Sequence, residues 1–144
     1  MKKFILPMLA AFVLLTGCTE KARVMTSYYT VHPYEWEQSI TTYNDGTYDV
    51  NYYYSEWENI DITREVYDNG VVLAYYIDDS HRDNPLPYTL YLKDDQGNLY
   101  QERIEFDVEL GKITFKIKDN DFQTAVSMSN IGDMKFKVSC IGNF

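Results

Sequence analysis

From residue 27 onward, apolar and polar residues alternate in short segments, and no long helical period interrupts them. Alternation with a period of two is typical of strands with one buried face, because successive side chains point to opposite faces. The pattern predicts strands at residues 27–32, 47–54, 59–67, 71–78, 88–93, 99–109, 112–118 and 134–141. About eight short strands at this spacing predict an all-β fold, an antiparallel β-sandwich that is Ig-like or similar.

The strongest local prediction is a hairpin that turns at Leu110-Gly111. One register places charged and polar residues together on one face and apolar residues together on the other. The predicted pairs are Glu109 with Lys112, Val108 with Ile113, Asp107 with Thr114, Phe106 with Phe115, Glu105 with Lys116, and Ile104 with Ile117. A slip of one residue would turn the apolar set towards water, so we expect this register to be fixed.

A second hairpin is predicted at Asn69-Gly70, a dipeptide favoured in tight turns. It would place Arg64 opposite Tyr75, with the guanidinium stacked on the ring and its head in water. Turns are also predicted at Asn44-Asp45-Gly46 and at residues 94–98.

The last predicted strand carries an alternating apolar set on one face: Met134, Phe136, Val138 and Cys140. We therefore expect Cys140 to be a small buried hydrophobe and not a reactive thiol. The preceding segment, residues 119–133, predicts either one or two helical turns after Asp121 or a plain crossover loop.

The N-terminus has the features of a secretory signal. Lys2 and Lys3 precede an apolar run at residues 4–15, which contains Pro7. This run is shorter than the roughly 20 apolar residues that a membrane-spanning helix needs. It therefore predicts targeting and not a membrane span.

The tetrapeptide Leu15-Thr16-Gly17-Cys18 resembles a lipobox, the signal for lipidating bacterial lipoproteins. The resemblance implies a diacylglyceryl group on the Cys18 sulfur and cleavage before Cys18, and the alternative is a plain signal peptide with an incidental cysteine. The expected organisation is a lipoprotein signal peptide at residues 1–17, the lipidated cysteine and tether at 18–26, and a β-sandwich at 27–144. With Cys18 lipidated, Cys140 has no cysteine partner for a disulfide.

Removal of residues 1–17 with their two lysines takes the chain from 144 to 127 residues and its net charge from −9 to −11. This acidity argues against nucleic acid and against docking on anionic lipid, both of which need clustered Lys and Arg. Thr19 instead of Asp after the cysteine favours the bacterial outer membrane by the sorting rule of enteric bacteria. Only Glu20 follows where surface-exported lipoproteins tend to carry an acidic run, so both the periplasmic side and the cell surface stay open.

Candidate catalytic chemistry is sparse. His32 and His81 lie in no nucleophile motif and in no metal-ligand spacing, and neighbouring glutamates do not establish a glycosidase pair. The acidic loops at residues 78–84 and 119–121 do not match an EF-hand and are interpreted as solvated loops. The expectation is a protein that is not an enzyme, with no cofactor and no bound metal.

The chain is rich in aromatic residues, with 14 Tyr and 2 Trp. Because neighbouring strand residues face opposite sides, some rings in the Tyr52-Tyr53-Tyr54 and Tyr75-Tyr76 runs must point away from the core.

Two hypotheses about function follow from these outward rings. The first is a non-catalytic protein-interaction or structural module, which predicts a contiguous exposed apolar or aromatic patch on one sheet face. The second is a glycan-binding lipoprotein of a nutrient-uptake system, with four candidate contacts: Trp36, Tyr52, Tyr54 and Trp57. For both tryptophans a core position is the more frequent role, and outward tyrosines can also be plain strand formers.

Several segments together resemble a group of small Bacteroidetes lipoproteins of unknown function. The segments are Tyr29-Thr30-Val31, Trp36, Ile62-Thr63, residues 66–75, Leu86-Pro87-Tyr88, Phe106 and residues 111–115. The resemblance covers most of the mature chain and implies the β fold, but it implies no activity.

Overall fold

The computed structural model describes residues 21–94, 96–119 and 132–143. The predicted signal peptide, Cys18 and the predicted helical turns or crossover within residues 120–131 lie outside the described residues. The elements in chain order are β1 Arg23–Val31, a 3₁₀ turn Pro33–Glu35, β2 Glu37–Thr42, β3 Tyr48–Glu58, α1 Arg64–Asn69, β4 Val71–Ile77, β5 Asp83–Pro85, β6 Tyr88–Lys93, β7 Leu99–Glu109, β8 Lys112–Asp119 and β9 Met134–Gly142. No helix in these ranges has the length and apolar character needed to cross a bilayer.

The strands form two antiparallel sheets. One has four strands in the order β1-β9-β4-β5, and the other has five in the order β2-β3-β8-β7-β6. The prediction of an all-β antiparallel sandwich is confirmed.

Aromatic rings from both sheets meet in the core. Phe115 of β8 and Phe136 of β9 stack with ring centroids 4.0 Å apart and an interplanar angle of 11°. Tyr29 of β1 packs its ring against the edge of Phe115 at 5.6 Å. The buried apolar set is Val31, Trp36, Ile62, Val66, Ala74, Ile104, Ile113, Phe115, Ile117, Met134, Phe136, Val138 and Cys140. Burial of this set is the main force that closes the two sheets on each other.

The β7–β8 hairpin has the predicted register at every predicted pair, from Glu109 opposite Lys112 to Ile104 opposite Ile117. Gly111 adopts a φ of +77° in the turn, a left-handed conformation that glycine takes at no steric cost. The alternation of β9 is also confirmed, since Met134, Phe136, Val138 and Cys140 are all buried. Burial raises the pKa of the Cys140 thiol to about 11, as expected for a thiol that serves as a core side chain.

The predicted strand at residues 59–67 is wrong, because the chain there forms a loop followed by helix α1. Thr63 caps the helix by accepting a hydrogen bond on its hydroxyl from the Val66 N–H at 3.2 Å. The Gly70 N–H donates to the Val66 carbonyl at 2.9 Å and ends the helix. Asn69-Gly70 is therefore a helix end and not a hairpin turn.

The predicted stacking of Arg64 on Tyr75 is wrong for the same reason. Arg64 lies on the exposed side of α1, with its guanidinium 3.9 Å from the Asp68 carboxylate one turn later. The cation over the Tyr75 ring is the ammonium of Lys137, which lies 4.5 Å from the ring centroid.

Two strands, β2 and β5, and the first residues of β1 were not predicted, and β3 extends four residues beyond its predicted end to Glu58. β2 is an edge strand with mostly exposed residues, so it lacks a clear apolar alternation, and it is held by pairing with β3. β5 has three residues, ends at Pro85 and pairs with β4. β1 begins at Arg23, four residues earlier than predicted, because its first residues pair with the end of β9.

Candidate functional site

The four predicted ligand contacts lie on two different sides of the five-stranded sheet. Trp36 is buried at 7% exposure and packs its ring against Phe136, with centroids 6.4 Å apart. Trp57 is partly buried, and its indole N–H donates to the Ser55 hydroxyl at 3.0 Å. Both tryptophans therefore belong to the interior of the sandwich.

Tyr52 and Tyr54 alternate with Tyr53 along β3 and face outward. Their rings form an edge-to-face pair with centroids 6.1 Å apart. The Tyr54 hydroxyl donates to the Glu37 carboxylate at 2.7 Å, and this contact raises the Tyr54 pKa above its ordinary value. The structure thus brings two of the four predicted residues together and separates them from the tryptophans.

The surface around this tyrosine pair, the charged outer face, is the outward side of the five-stranded sheet. Its ion pairs link neighbouring strands: Lys112 with Glu56, Lys116 with Asp107, and both Arg103 and Lys118 with Glu105. The ammonium groups of Lys116 and Lys118 lie 5.0 and 5.8 Å from the Tyr52 ring centroid. Charges of both signs alternate here, as is typical of a solvated sheet face.

The outward side of the four-stranded sheet, the apolar outer face, has a different composition. Registered pairing of β1, β9 and β4 produces four rows across this face. The rows are Val24-Ile141-Val71, Thr26-Ser139-Leu73, Tyr28-Lys137-Tyr75 and Thr30-Lys135-Ile77. The first row is apolar on all three strands, with Val24 and Val71 exposed, whereas in the next two rows the exposed Leu73 and Tyr28 flank Ser139 and Lys137 of β9.

Lys137 lies at the centre of the third row. Its ammonium pairs with the Asp83 carboxylate of β5, and this hydrogen bond raises the Lys137 pKa. The Asp83 carboxylate balances the Lys137 charge, and the same ammonium lies 4.5 Å from the Tyr75 ring centroid. The apolar outer face therefore has little free charge at its centre.

The sequence carried a signal for this surface that alternation alone did not reveal. Residues 71–77 read Val-Val-Leu-Ala-Tyr-Tyr-Ile without a polar residue. Such a run is typical of a strand whose two faces are both covered, and here the second face is left uncovered on an antiparallel sheet. Val24, Tyr28, Leu73 and Tyr75 were not among the predicted contacts.

A small polar cluster lies immediately after β1, which ends at Val31. His32 Nδ1 lies 2.8 Å from the Asp133 carboxylate, and the His32 backbone N–H donates to Glu35 at 2.8 Å. The imidazole stacks on the exposed Tyr34 ring at 5.4 Å. The hydrogen bond to Asp133 raises the His32 pKa above its ordinary 6.5.

We predict that Asp133→Asn returns the pKa of His32 towards 6.5, because it removes the anionic partner of the imidazolium. Since the folded pKa is the higher one, the stabilising effect of the pair is fully present below pH 6.5 and disappears as the pH rises through the raised pKa. NMR titration of the imidazole signals in both proteins measures the shift. An unchanged His32 pKa in Asp133→Asn would mean that the pair does not form in solution.

The loop at residues 78–84 holds the Asp78 carboxylate within its own turn, whereas Asp83 pairs with Lys137 of β9. Asp78 accepts hydrogen bonds from the backbone N–H groups of Ser80 at 2.9 Å and Arg82 at 3.0 Å, and from the Arg82 side chain. The Arg82 backbone hydrogen bond is the main cause that lowers the Asp78 pKa. Within the described ranges, no group of three or more His, Cys, Asp or Glu side chains could hold a metal ion. Residues 120–121 of the second acidic loop lie outside the described residues.

Comparisons with protein-family models, with curated proteins and with solved structures find no match to this chain.

Proposed function

We propose that the chain is a membrane-anchored envelope lipoprotein, similar to the small Bacteroidetes lipoproteins that its motifs resemble, and that its sandwich is a non-catalytic protein-interaction module. The supporting observation is the difference between the two outer faces. One is covered by a lattice of ion pairs, whereas the other exposes contiguous apolar and aromatic surface on three strands. Contiguous apolar patches on soluble domains often mark interaction sites.

The composition of the apolar outer face suits a protein partner. Tyr28 and Tyr75 flank the aliphatic part of Lys137 in one row, and Leu73 lies in the next row. Tyrosine offers a large flat surface with few rotatable bonds, and aromatic residues are enriched at protein interfaces.

A test of the binding surface places a photo-crosslinking amino acid at Tyr28 in intact cells. We expect a discrete protein adduct at this position, and we expect Leu73→Glu to abolish it because the charge enters the apolar surface. The matched control is Tyr91, which is 74% exposed on the charged outer face. Equal adducts at Tyr28 and Tyr91, or none at Tyr28, would contradict the proposal.

The proposed anchor is lipidated Cys18, in the outer membrane and on either its periplasmic or its surface side. A single acyl chain binds membranes only reversibly, and two or more chains give stable anchoring. We predict that Cys18→Ala releases the protein into the soluble fraction after the membranes are washed. Thr19→Ala leaves the lipobox intact and should stay in the membrane fraction. Retention after washing of a Cys18→Ala protein from which residues 1–17 have been removed would exclude a Cys18 anchor.

The second candidate is glycan binding by the Tyr52 and Tyr54 pair. Both rings lie on the solvent side of β3, and the carboxylates of Glu37 and Glu56 lie beside them as hydrogen-bond acceptors. Titration with a panel of bacterial and host glycans tests this candidate. Saturable binding that is lost in Tyr52→Ala would favour it over the protein-interaction proposal.

A further inference from the structure

One end of the sandwich, the anchor end, consists of the first residues of β1, the last residues of β9, the loop at residues 59–63, α1 and the β7–β8 turn. These parts are joined by hydrogen bonds and by strand pairing. The Asn59 N–H donates to the Gly111 carbonyl at 2.8 Å, and the Gly111 N–H donates to the Ile62 carbonyl at 3.0 Å. Val24 lies opposite Ile141 in the neighbouring strand. The loop, the turn and the start of β1 therefore belong to the same end of the molecule.

Exposed aliphatic side chains are concentrated at the anchor end. Ile60 is 87% exposed, the most exposed of the large apolar residues in the described ranges. The others at this end are Val24, Met25, Val71 and Leu110, together with Tyr67. Each lies in or beside a backbone segment that is held by hydrogen bonds, so their exposure follows from the fold and not from a frayed end.

The opposite end exposes a different kind of side chain. Its exposed large residues are mostly tyrosines, with two aliphatic residues beside them: Tyr34, Tyr43, Tyr48, Ile40 and Leu99. Tyrosine keeps a hydroxyl that water can solvate, whereas an exposed isoleucine or leucine has no such group. The exposed large residues of the anchor end are therefore more aliphatic than those of the opposite end.

The chain length between Cys18 and β1 brings the anchor end close to the membrane. Five residue steps separate Cys18 from Arg23, where β1 begins. A fully extended chain of this length spans at most about 18 Å. A lipidated Cys18 lies at the bilayer surface, so the first residues of β1 cannot lie much farther away than this.

We propose that the partner of the anchor end is the bilayer itself, with Ile60 and Leu110 inserted into its interfacial region and the flanking aliphatic residues in contact with it. The proposal rests on the proposed anchor at Cys18. Apolar side chains that enter the interface add binding free energy in proportion to the apolar area they bury. Together with the lipid, they give the domain a fixed orientation and not a free tether.

Charge at the anchor end neither drives nor prevents this contact. Arg64 lies 3.9 Å from Asp68 in α1, and Lys112 pairs with Glu56 beside the β7–β8 turn, so both signs are present at this end. The contact is therefore expected to rest on apolar burial and not to require anionic lipid, in agreement with the acidic net charge of the chain.

This orientation leaves the proposed protein-binding row accessible. Tyr28 lies four residues beyond Val24 along β1, which is about 13 Å farther from the anchor end. A partner can thus contact Tyr28 and Tyr75 while Ile60 and Leu110 contact lipid.

The test uses the full lipidated chain in phosphatidylcholine vesicles, with an environment-sensitive fluorophore on single introduced cysteines. Ile60→Cys and Leu110→Cys report on the anchor end, and Tyr48→Cys is the exposed control at the opposite end. Cys140 is buried and does not compete for the label in the folded protein. We expect a blue shift and quenching by a lipid-borne nitroxide at the first two sites and neither at Tyr48 in these vesicles, which contain no anionic lipid.

Three contradicting outcomes can be distinguished. Absence of a diacylglyceryl group on Cys18 by mass spectrometry overturns the anchor and this proposal with it. Quenching at Ile60 and Leu110 no greater than at Tyr48, in protein shown to be lipidated, overturns the bilayer contact alone. A blue shift without lipid quenching, at a position that also cross-links to a second copy or another protein, assigns the anchor end to that partner and likewise overturns it.

Discussion

Replacing Phe136 by alanine lowers the free energy of unfolding by about 3–5 kcal/mol, the usual cost of truncating a buried phenylalanine. Phe136 is fully buried on β9, an interior strand of its sheet. Its ring stacks on Phe115 of the opposite sheet with centroids 4.0 Å apart and also contacts the rings of Trp36 and Tyr76. Truncation leaves a cavity at the contact between the two sheets, and the surrounding rings are too constrained by their strands to fill it.

Chemical denaturation of Phe136→Ala and of the unmodified protein measures this loss from the two midpoints and their common slope. Phe136→Leu retains most of the apolar volume and should lose less. The matched control is Tyr91→Ala, an exposed aromatic truncation expected to change the free energy of unfolding by less than about 0.5 kcal/mol. If Phe136→Ala were no more destabilising than Tyr91→Ala, the two sheets could not be closed over this stack.

The Phe115 and Phe136 stack also explains which parts of the fold were predictable from sequence. Phe115 was placed by the β7–β8 hairpin, where charge pairing on one face and apolar pairing on the other required the same register. Phe136 was placed by strict alternation along β9. Neither pattern says that the two strands face each other, because the order of strands depends on contacts between residues far apart in the chain.

The segment at residues 59–70 shows where local pattern is ambiguous. Ile62 and Val66 are four residues apart, a spacing that suits one face of a strand as well as one face of a helix. Two features favour the helix. The Thr63 cap is a local contact, whereas the contact of Gly70 with β9 joins residues far apart in the chain. The local cap was present in the sequence, but the dipeptide Asn69-Gly70 outweighed it as a turn signal.

The predicted charge pairs illustrate a finer limit. Glu105 lies opposite Lys116 as expected, but the ion pairs join Lys116 to Asp107 and Lys118 to Glu105. These are diagonal neighbours across the strand pair, which long side chains reach easily in a twisted sheet. Register can therefore be predicted from sequence with more certainty than the contacts of individual side chains.

The kind of surface that forms the candidate site could be predicted from the sequence, but the residues that form it could not. The apolar outer face is the candidate for the predicted patch on one sheet face, and its residues come from three strands that are not consecutive in sequence. Tyr28 and Tyr75 become neighbours only because β9 lies between β1 and β4. A pattern within one strand cannot provide that order.

The second large effect is expected at Gly70, where alanine should lower the free energy of unfolding by about 1–3 kcal/mol through overpacking. A Cβ atom on Gly70 would lie 2.5 Å from the Ile141 carbonyl oxygen, 2.8 Å from the Val66 carbonyl oxygen and 2.9 Å from the Val66 Cα. The Gly70 φ of −97° is accessible to any residue, so the cost arises from space and not from backbone conformation. All three neighbours are backbone atoms, so α1 and the end of β9 must move apart.

Thermal or chemical unfolding of Gly70→Ala measures the loss, and backbone chemical shifts of Val66 and Ile141 report the displacement. Gly132→Ala is the matched control, because no atom of the described structure lies within 4 Å of its added Cβ and its φ is not left-handed; we expect a change within about 0.5 kcal/mol. Gly46→Ala isolates the other mechanism, since its φ of +86° is strained for alanine while its surroundings are open. Only Gly70→Ala should shift the Val66 and Ile141 signals, and a Gly70→Ala protein as stable as Gly132→Ala would show that α1 does not pack closely against β9.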